Sequence, residues 1–98
     1  MITIVWTDYL KYRAELRGFD LQRIEEIVRY SNERYFDNET YRMIAVGNHK
    51  SQLVVIPYEI TGSNEITPVT IHATSRQQIS YRLQSGRFKN EYSKAFVF

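Results

Sequence analysis

The hydrophobic period of this chain changes once, near Glu33, and that change constrains the fold more than any other feature. Before it, Leu21, Ile24, Ile27 and Val28 recur at three- and four-residue steps, the spacing of one apolar helix face. After it come short β-branched and aromatic runs separated by turn residues, which read as strands. Helices therefore come first and an antiparallel meander follows.

The punctuation fills in the order. Residues 2–6 are β-branched and aromatic and end at Thr7-Asp8, a strand running into a helix N-cap. A first helix then reaches about Arg17, Gly18 stops it, and Asp20 caps the second. Strands are expected over 34–36, 41–48, 53–60 and 66–73, with turn chemistry at 37–39, 48–51 and 61–64. Pro57 cannot donate to a ladder, so it points to an edge position or a bulge. Ser75 stands three residues before Gln78, a capping-box spacing, and Ile79 and Leu83 line one side of a last helix ending near Gly86. Residues 95–98 are apolar again, which suits an edge strand, a partner contact or a fraying end.

These readings predict an α+β fold of order β-α-α-β-β-β(-β)-α. Its sheet is antiparallel with three to five strands, the helices pack on one face, and the other face is open for binding. With 98 residues, 43% of them hydrophobic, the chain suits one domain over 1–88 and a C-terminal tail over 89–98. An aromatic share of 14% with 4 Gly and 2 Pro excludes intrinsic disorder. The chain has no cysteine, which excludes disulfides, thiolate zinc sites and cysteine nucleophiles and favours the cytoplasm. The opening residues lack the positive leader of a signal peptide. The longest apolar run, 53–58, falls far short of the about 20 residues that span a bilayer, so no membrane partner is expected.

The net charge of +2 is too small to identify a partner, but its distribution is uneven. Residues 1–50 balance, whereas 75–94 hold Arg76, Arg82, Arg87, Lys89 and Lys94 against Glu91 alone. A polyanion held there would bind with a salt-sensitive affinity; the plainer reading is a solvated helix face.

Within the strand 66–73 alternation puts Val69, Ile71 and Ala73 on one face and Thr70 and His72 on the other. If the aliphatic face is core, His72 faces away from it. Its imidazole can exchange a proton near neutrality, and it stands beside a helix start where backbone N–H groups and Arg76 could bind an anion. A half-buried histidine beside a solvated arginine explains the same residues. Arg42 shares its strand side with Ile44 and Val46, so it either binds phosphate or pairs with Glu33 or Asp37. Tyr58 reads as core and Glu59 as a surface partner. His49, His72 and Glu59 lack the local spacing of metal ligands, and no metal or cofactor is expected. Tyr12, Arg13 and Arg17 offer a second basic surface, diluted by Asp8 and Glu15. Trp6 reads as a core anchor, and Glu25 and Glu26 as solvated. No phosphate loop, serine elbow or dinucleotide fingerprint is present in the sequence.

Several stretches resemble the small ribonuclease toxins of the RelE superfamily, most closely the BrnT-like branch. They are Trp6-Thr7-Asp8 leading to Leu16-Arg17-Gly18, Arg42-Met-Ile-Ala-Val-Gly47, Leu53-Val-Val-Ile-Pro-Tyr-Glu59 and Thr70-Ile-His-Ala-Thr-Ser-Arg76. Together they run over residues 3–85. His72 stands where that family has a serine and Thr74 where it has an arginine, with Arg76 two positions later. The resemblance implies RNA cleavage, free or on the ribosome, and a cognate antitoxin protein; a homodimer is compatible with it.

The leading expectation is a metal-independent endoribonuclease acting by 2′-OH attack. His72 serves as base or acid, Arg42 and Arg76 stabilise the phosphorane, and Glu59 or Tyr81 carries the complementary proton. The rival is a non-catalytic binding module whose basic last helix and tail dock a protein or nucleic acid. A small-molecule binder using the open sheet face is a third reading.

Overall fold

A computed structural model describes residues 1–90, so the apolar stretch at 95–98 and the charges of Glu91 and Lys94 lie outside the described residues. The elements are β1 (Thr3–Ile4), α1 (Asp8–Arg17), α2 (Leu21–Tyr30), β2 (Glu33–Asp37), β3 (Arg42–His49), β4 (Gln52–Gly62), β5 (Glu65–Pro68), β6 (His72–Ala73), α3 (Arg76–Gln84) and β7 (Phe88–Lys89). The mixed α+β class is as the period change predicts.

The caps explain the helix bounds. Thr7 Oγ1 accepts from the Leu10 N–H at 3.1 Å, Asp20 Oδ1 from Gln22 at 3.1 Å and Ser75 Oγ from Gln78 at 3.2 Å. Gly18 ends α1 with φ +74°, a conformation that costs a side-chain-bearing residue about 1 kcal/mol or more.

The strands form an open sheet of order β1-β5-β4-β3-β2-β7, with β6 also paired to β4. Among the described residues it has seven strands, more than the three to five expected. It is also not wholly antiparallel, because β1 runs parallel to β5. The extra strands are β6, split from the predicted strand 66–73, and β7, each of two residues and too short for alternation to reveal.

The predicted strand 66–73 divides into β5 and β6, both paired to β4. Pro57 lies inside β4, a central strand rather than an edge. It is tolerated because its carbonyl accepts from the Val69 N–H at 2.7 Å, which turns its donor-less nitrogen toward the break between β5 and β6.

The helices do not share one face, contrary to the single-face packing expected from the sequence. Leu10 and Ala14 of α1 and Ile24, Ile27 and Val28 of α2 pack with Ala45, Val54, Ile56, Tyr58, Ile66 and Ile71. Ile79 of α3 packs on the other side, with Tyr35, Ile44, Val46, Val55 and Phe88. Successive residues of β3 and β4 point to opposite faces, and both sets are aliphatic, so each face needs its own cover.

The α1/α2 face is closed tightly. Gly47 lets α2 approach so near that a Cβ there would meet Ile27 Cγ1 at 2.8 Å. Arg34, buried at 1% exposure, donates to Val28 O (2.6 Å), Ser31 O (3.0 Å) and Tyr58 Oη (3.0 Å), tying the carbonyl end of α2 to the sheet. Tyr58 is core, as expected, and Trp6 packs against the same cluster while staying partly exposed. Glu25 and Glu26 pair with Arg29 and Arg23 on the outer side of α2. No helix among the described residues is long and apolar enough to cross a membrane.

Candidate functional site: a cationic cleft beneath the last helix

On its other face the sheet is only partly covered, because α3 has nine residues and one fully buried apolar side chain, Ile79. A cleft of about 420 Å³ remains beside it. Arg42, Ile44, Val55 and Pro57 of β3 and β4 form its floor, and Val69, Thr70, His72 and Ala73 one wall. Gln78 and Arg82 of α3 overhang it, and Asp37, Thr40, Arg87 and Phe88 close one end.

Alternation puts His72 here. Ile71 is fully buried in the α1/α2 core, so the next side chain turns to the opposite face, as the sequence predicts. The residue is solvent-accessible, yet the cleft wall partly desolvates the ring. That desolvation, and then the charges of Arg13, Arg17 and Arg82, hold its pKa below the ordinary 6.5. His72 is therefore neutral at pH 7 and able to accept a proton.

Arg42 lines the same cleft, on the side of β3 it shares with Ile44 and Val46. Neither expected partner holds it. Asp37, opposite it in register, receives two hydrogen bonds from Arg87, both at 3.0 Å. Glu33 is taken by Arg76 at 2.6 Å and by the Tyr35 hydroxyl at 2.6 Å. The acid nearest Arg42 is Glu59, 3.9 Å from Nε and beyond hydrogen-bond reach. Arg42 Nε is buried without a hydrogen-bond partner, and so is Thr70 Oγ1 in the facing wall. Each such group typically costs about 1–3 kcal/mol unless water or a ligand meets it. Two of them in one cleft mark a place prepared for polar contact.

The ion pairs define the charge of the site. Burial would raise the Asp37 carboxyl, but hydrogen bonds from Arg87, the Glu39 N–H and Thr40 outweigh it and hold the pKa below the ordinary 3.8. Asp37 is thus ionised and neutralised by Arg87. Arg82 makes no ion pair among the described residues; its guanidinium carbon lies 5.7 Å from the centroid of Phe88. Arg42 and Arg82 leave the cleft net positive.

The other three candidates stand outside the cleft. Arg76 does not line the cleft: its Nη1 holds Glu33, and with 65% of its side chain exposed it anchors the start of α3 to β2. The anion that Arg76 holds is the Glu33 carboxylate, not a ligand. Tyr81 is 70% exposed and lines an adjoining groove with Asn38, Glu39 and Ser85, which shares Gln78, Arg82 and Arg87 with the cleft. Glu59 reaches the cleft only through Arg42. Of the five residues singled out from sequence, His72 and Arg42 are brought together.

The sequence names Arg82 and Arg87 only within a basic excess and Thr70 only as a strand-face neighbour of His72, none of them as a site residue. The signal for the two arginines was the basic excess after residue 75, since Gln78 and Arg82 are one helical turn apart on the overhanging side. His49 is structural: its Nε2 accepts the Asp20 N–H at 3.0 Å and its ring meets Phe19 edge-on at 5.1 Å. No group of three or more His, Asp or Glu among the described residues could hold a metal ion.

Comparison of the chain with protein-family models, curated proteins and solved structures finds no significant match in any of the three.

Proposed function

We propose that the cleft beneath α3 binds an RNA phosphodiester and that the protein is a metal-independent endoribonuclease. The observation that carries this reading is the convergence, in one cleft, of a neutral, accessible imidazole with Arg42, whose Nε has no hydrogen-bond partner, and Arg82, which makes no ion pair among the described residues.

In this reading His72 takes the proton of the 2′-OH, the oxygen bonds to phosphorus, and the P–O5′ bond breaks. Arg42 and Arg82 stabilise the added negative charge on the equatorial oxygens, in a site partly shielded from water. The leaving 5′-oxygen takes its proton from water at the open mouth, and the imidazolium returns its proton to solvent. The products are a 2′,3′-cyclic phosphate and a 5′-hydroxyl. Arg76, Glu59 and Tyr81 have no direct part, because the first is held by Glu33 and the others do not line the cleft.

The test is cleavage of a short RNA by the purified protein, with chemical identification of the new ends. Replacement His72→Gln is expected to slow cleavage by roughly 10²-fold or more without loss of the fold. As His72 works in its neutral form, wild-type activity should fall only on the acid side of pH 6.5. An unchanged rate for His72→Gln would remove the imidazole from the reaction.

A further inference from the structure

The helix α1 lies on the face opposite the cleft, but one of its shoulders carries charge toward His72. At 3.6 residues per turn, Leu10 and Ala14 form its buried stripe. Arg17 and Arg13 follow on one side of that stripe, and Tyr9, Leu16 and Tyr12 lie beyond them. Asp8, Lys11 and Glu15 fall on the other side, where Lys11 approaches Asp8 at 3.7 Å. The acids therefore do not dilute the basic surface, as the sequence suggests they do.

We propose that this shoulder of α1 is a track on which single-stranded RNA extends beyond the cleft, its phosphates on Arg13 and Arg17 and its bases on Tyr9 and Tyr12. The proposal rests on the ribonuclease reading above and specifies its substrate as a polymer rather than a nucleotide.

Four observations support it. Arg13 and Arg17 make no ion pair among the described residues, and Arg13 Nε is buried without a hydrogen-bond partner. The two aromatic rings are open, Tyr9 at 55% and Tyr12 at 61% exposure, with Leu16 at 64% between them. The Arg13 guanidinium already lies 5.9 Å from the centroid of Tyr9, so cation and ring form one surface. The track also lies near the cleft wall: Ile71 packs in the same core as Leu10 and Ala14, and His72 follows it in β6. The charges of both arginines are felt at the His72 ring. Unpaired guanidiniums alternating with exposed rings suit a chain of phosphates and bases, where rings stack without regard to sequence.

The experiment measures fluorescence anisotropy with a single-stranded dodecamer whose riboses are 2′-O-methylated, and so cannot be cleaved, over a range of salt concentrations. A 2′-O-methyl dinucleotide with one phosphodiester serves as the short probe. The variant Arg13→Gln/Arg17→Gln should bind the dodecamer about 10-fold or more weakly, with a log–log salt slope smaller by about 1.4. Its affinity for the dinucleotide should stay near wild type, and Arg13→Lys/Arg17→Lys should restore the slope. Tyr9→Ala/Tyr12→Ala should weaken the dodecamer alone. Wild-type dodecamer affinity and slope in the glutamine variant would overturn the track and leave α1 as a surface for a protein. An equal loss for both probes would also overturn it, by moving the effect into the cleft. Failure of wild type to bind either probe would overturn the ribonuclease reading itself.

Discussion

The two faces of the sheet are covered by different means, and the contrast separates stability from chemistry. On the α1/α2 side, two ten-residue helices close a continuous core in which Leu10, Ile24, Val54, Ile56, Tyr58 and Ile71 have no exposure. Its buried cation, Arg34, is bonded into the helix end and the sheet. On the α3 side a shorter helix is fastened at its start by Arg76–Glu33, and the strand after it by Arg87–Asp37. The space between those fastenings holds His72, Arg42 and Arg82. Apolar closure leaves no room for a ligand, whereas ion-pair fastening leaves a gap whose polar atoms are not all satisfied.

The largest effect that can break this contrast is a cavity on the closed side. Ile56→Ala should cost about 2–5 kcal/mol of unfolding free energy in urea denaturation, because α1 and α2 cannot both settle into the space. A loss under about 1 kcal/mol would show that this face is not the stabilising one.

Next in size is the fastening after α3. Arg87→Ala leaves Asp37, at 2% exposure, without its cation and should cost about 2–3 kcal/mol at neutral pH. The pH dependence has a definite sign. The pKa of Asp37 is lower in the folded than in the unfolded chain, so its contribution is full above the ordinary 3.8 and is lost as pH falls through the lower folded value. The gap in denaturation midpoint between wild type and variant should therefore be full above pH 3.8 and narrow as pH falls below it. A gap that stays constant from neutral to acid pH would contradict the pairing.

The smallest expected effect sharpens the contrast from the open side. Arg42→Gln removes a guanidinium whose Nε has no hydrogen-bond partner, so stability should change by no more than about 0.5 kcal/mol while cleavage falls steeply. A loss of stability comparable to that of Arg87→Ala would make Arg42 a structural residue.

How much of this was legible in the sequence follows from how far apart the interacting residues are. Thr7, Asp20 and Ser75 announce their helices because a cap acts within three residues. The orientation of His72 followed from the burial of Ile71, again a local rule. The partners of Arg76 and Arg87 did not follow, since Glu33 lies 43 residues before Arg76 and Asp37 lies 50 before Arg87. Nor does the spacing of Ile79 and Leu83 say which sheet face they cover. A clue was present in the consecutive apolar residues 53–56, since a strand apolar on both sides calls for two layers. The helical shoulder of α1 was visible as Tyr12, Arg13 and Arg17, but the separation of its acids required the buried stripe to be known.

The central claim is that phosphodiester binding belongs to the α3 side. The most direct measurement is an NMR titration of the labelled protein with the 2′-O-methyl dinucleotide, following backbone amides and the His72 ring. The account predicts perturbations concentrated at His72, Thr70, Arg42, Gln78 and Arg82, with the amides of α2 unmoved. Shifts centred on α2, or saturating binding that leaves the His72 ring unchanged, would contradict it.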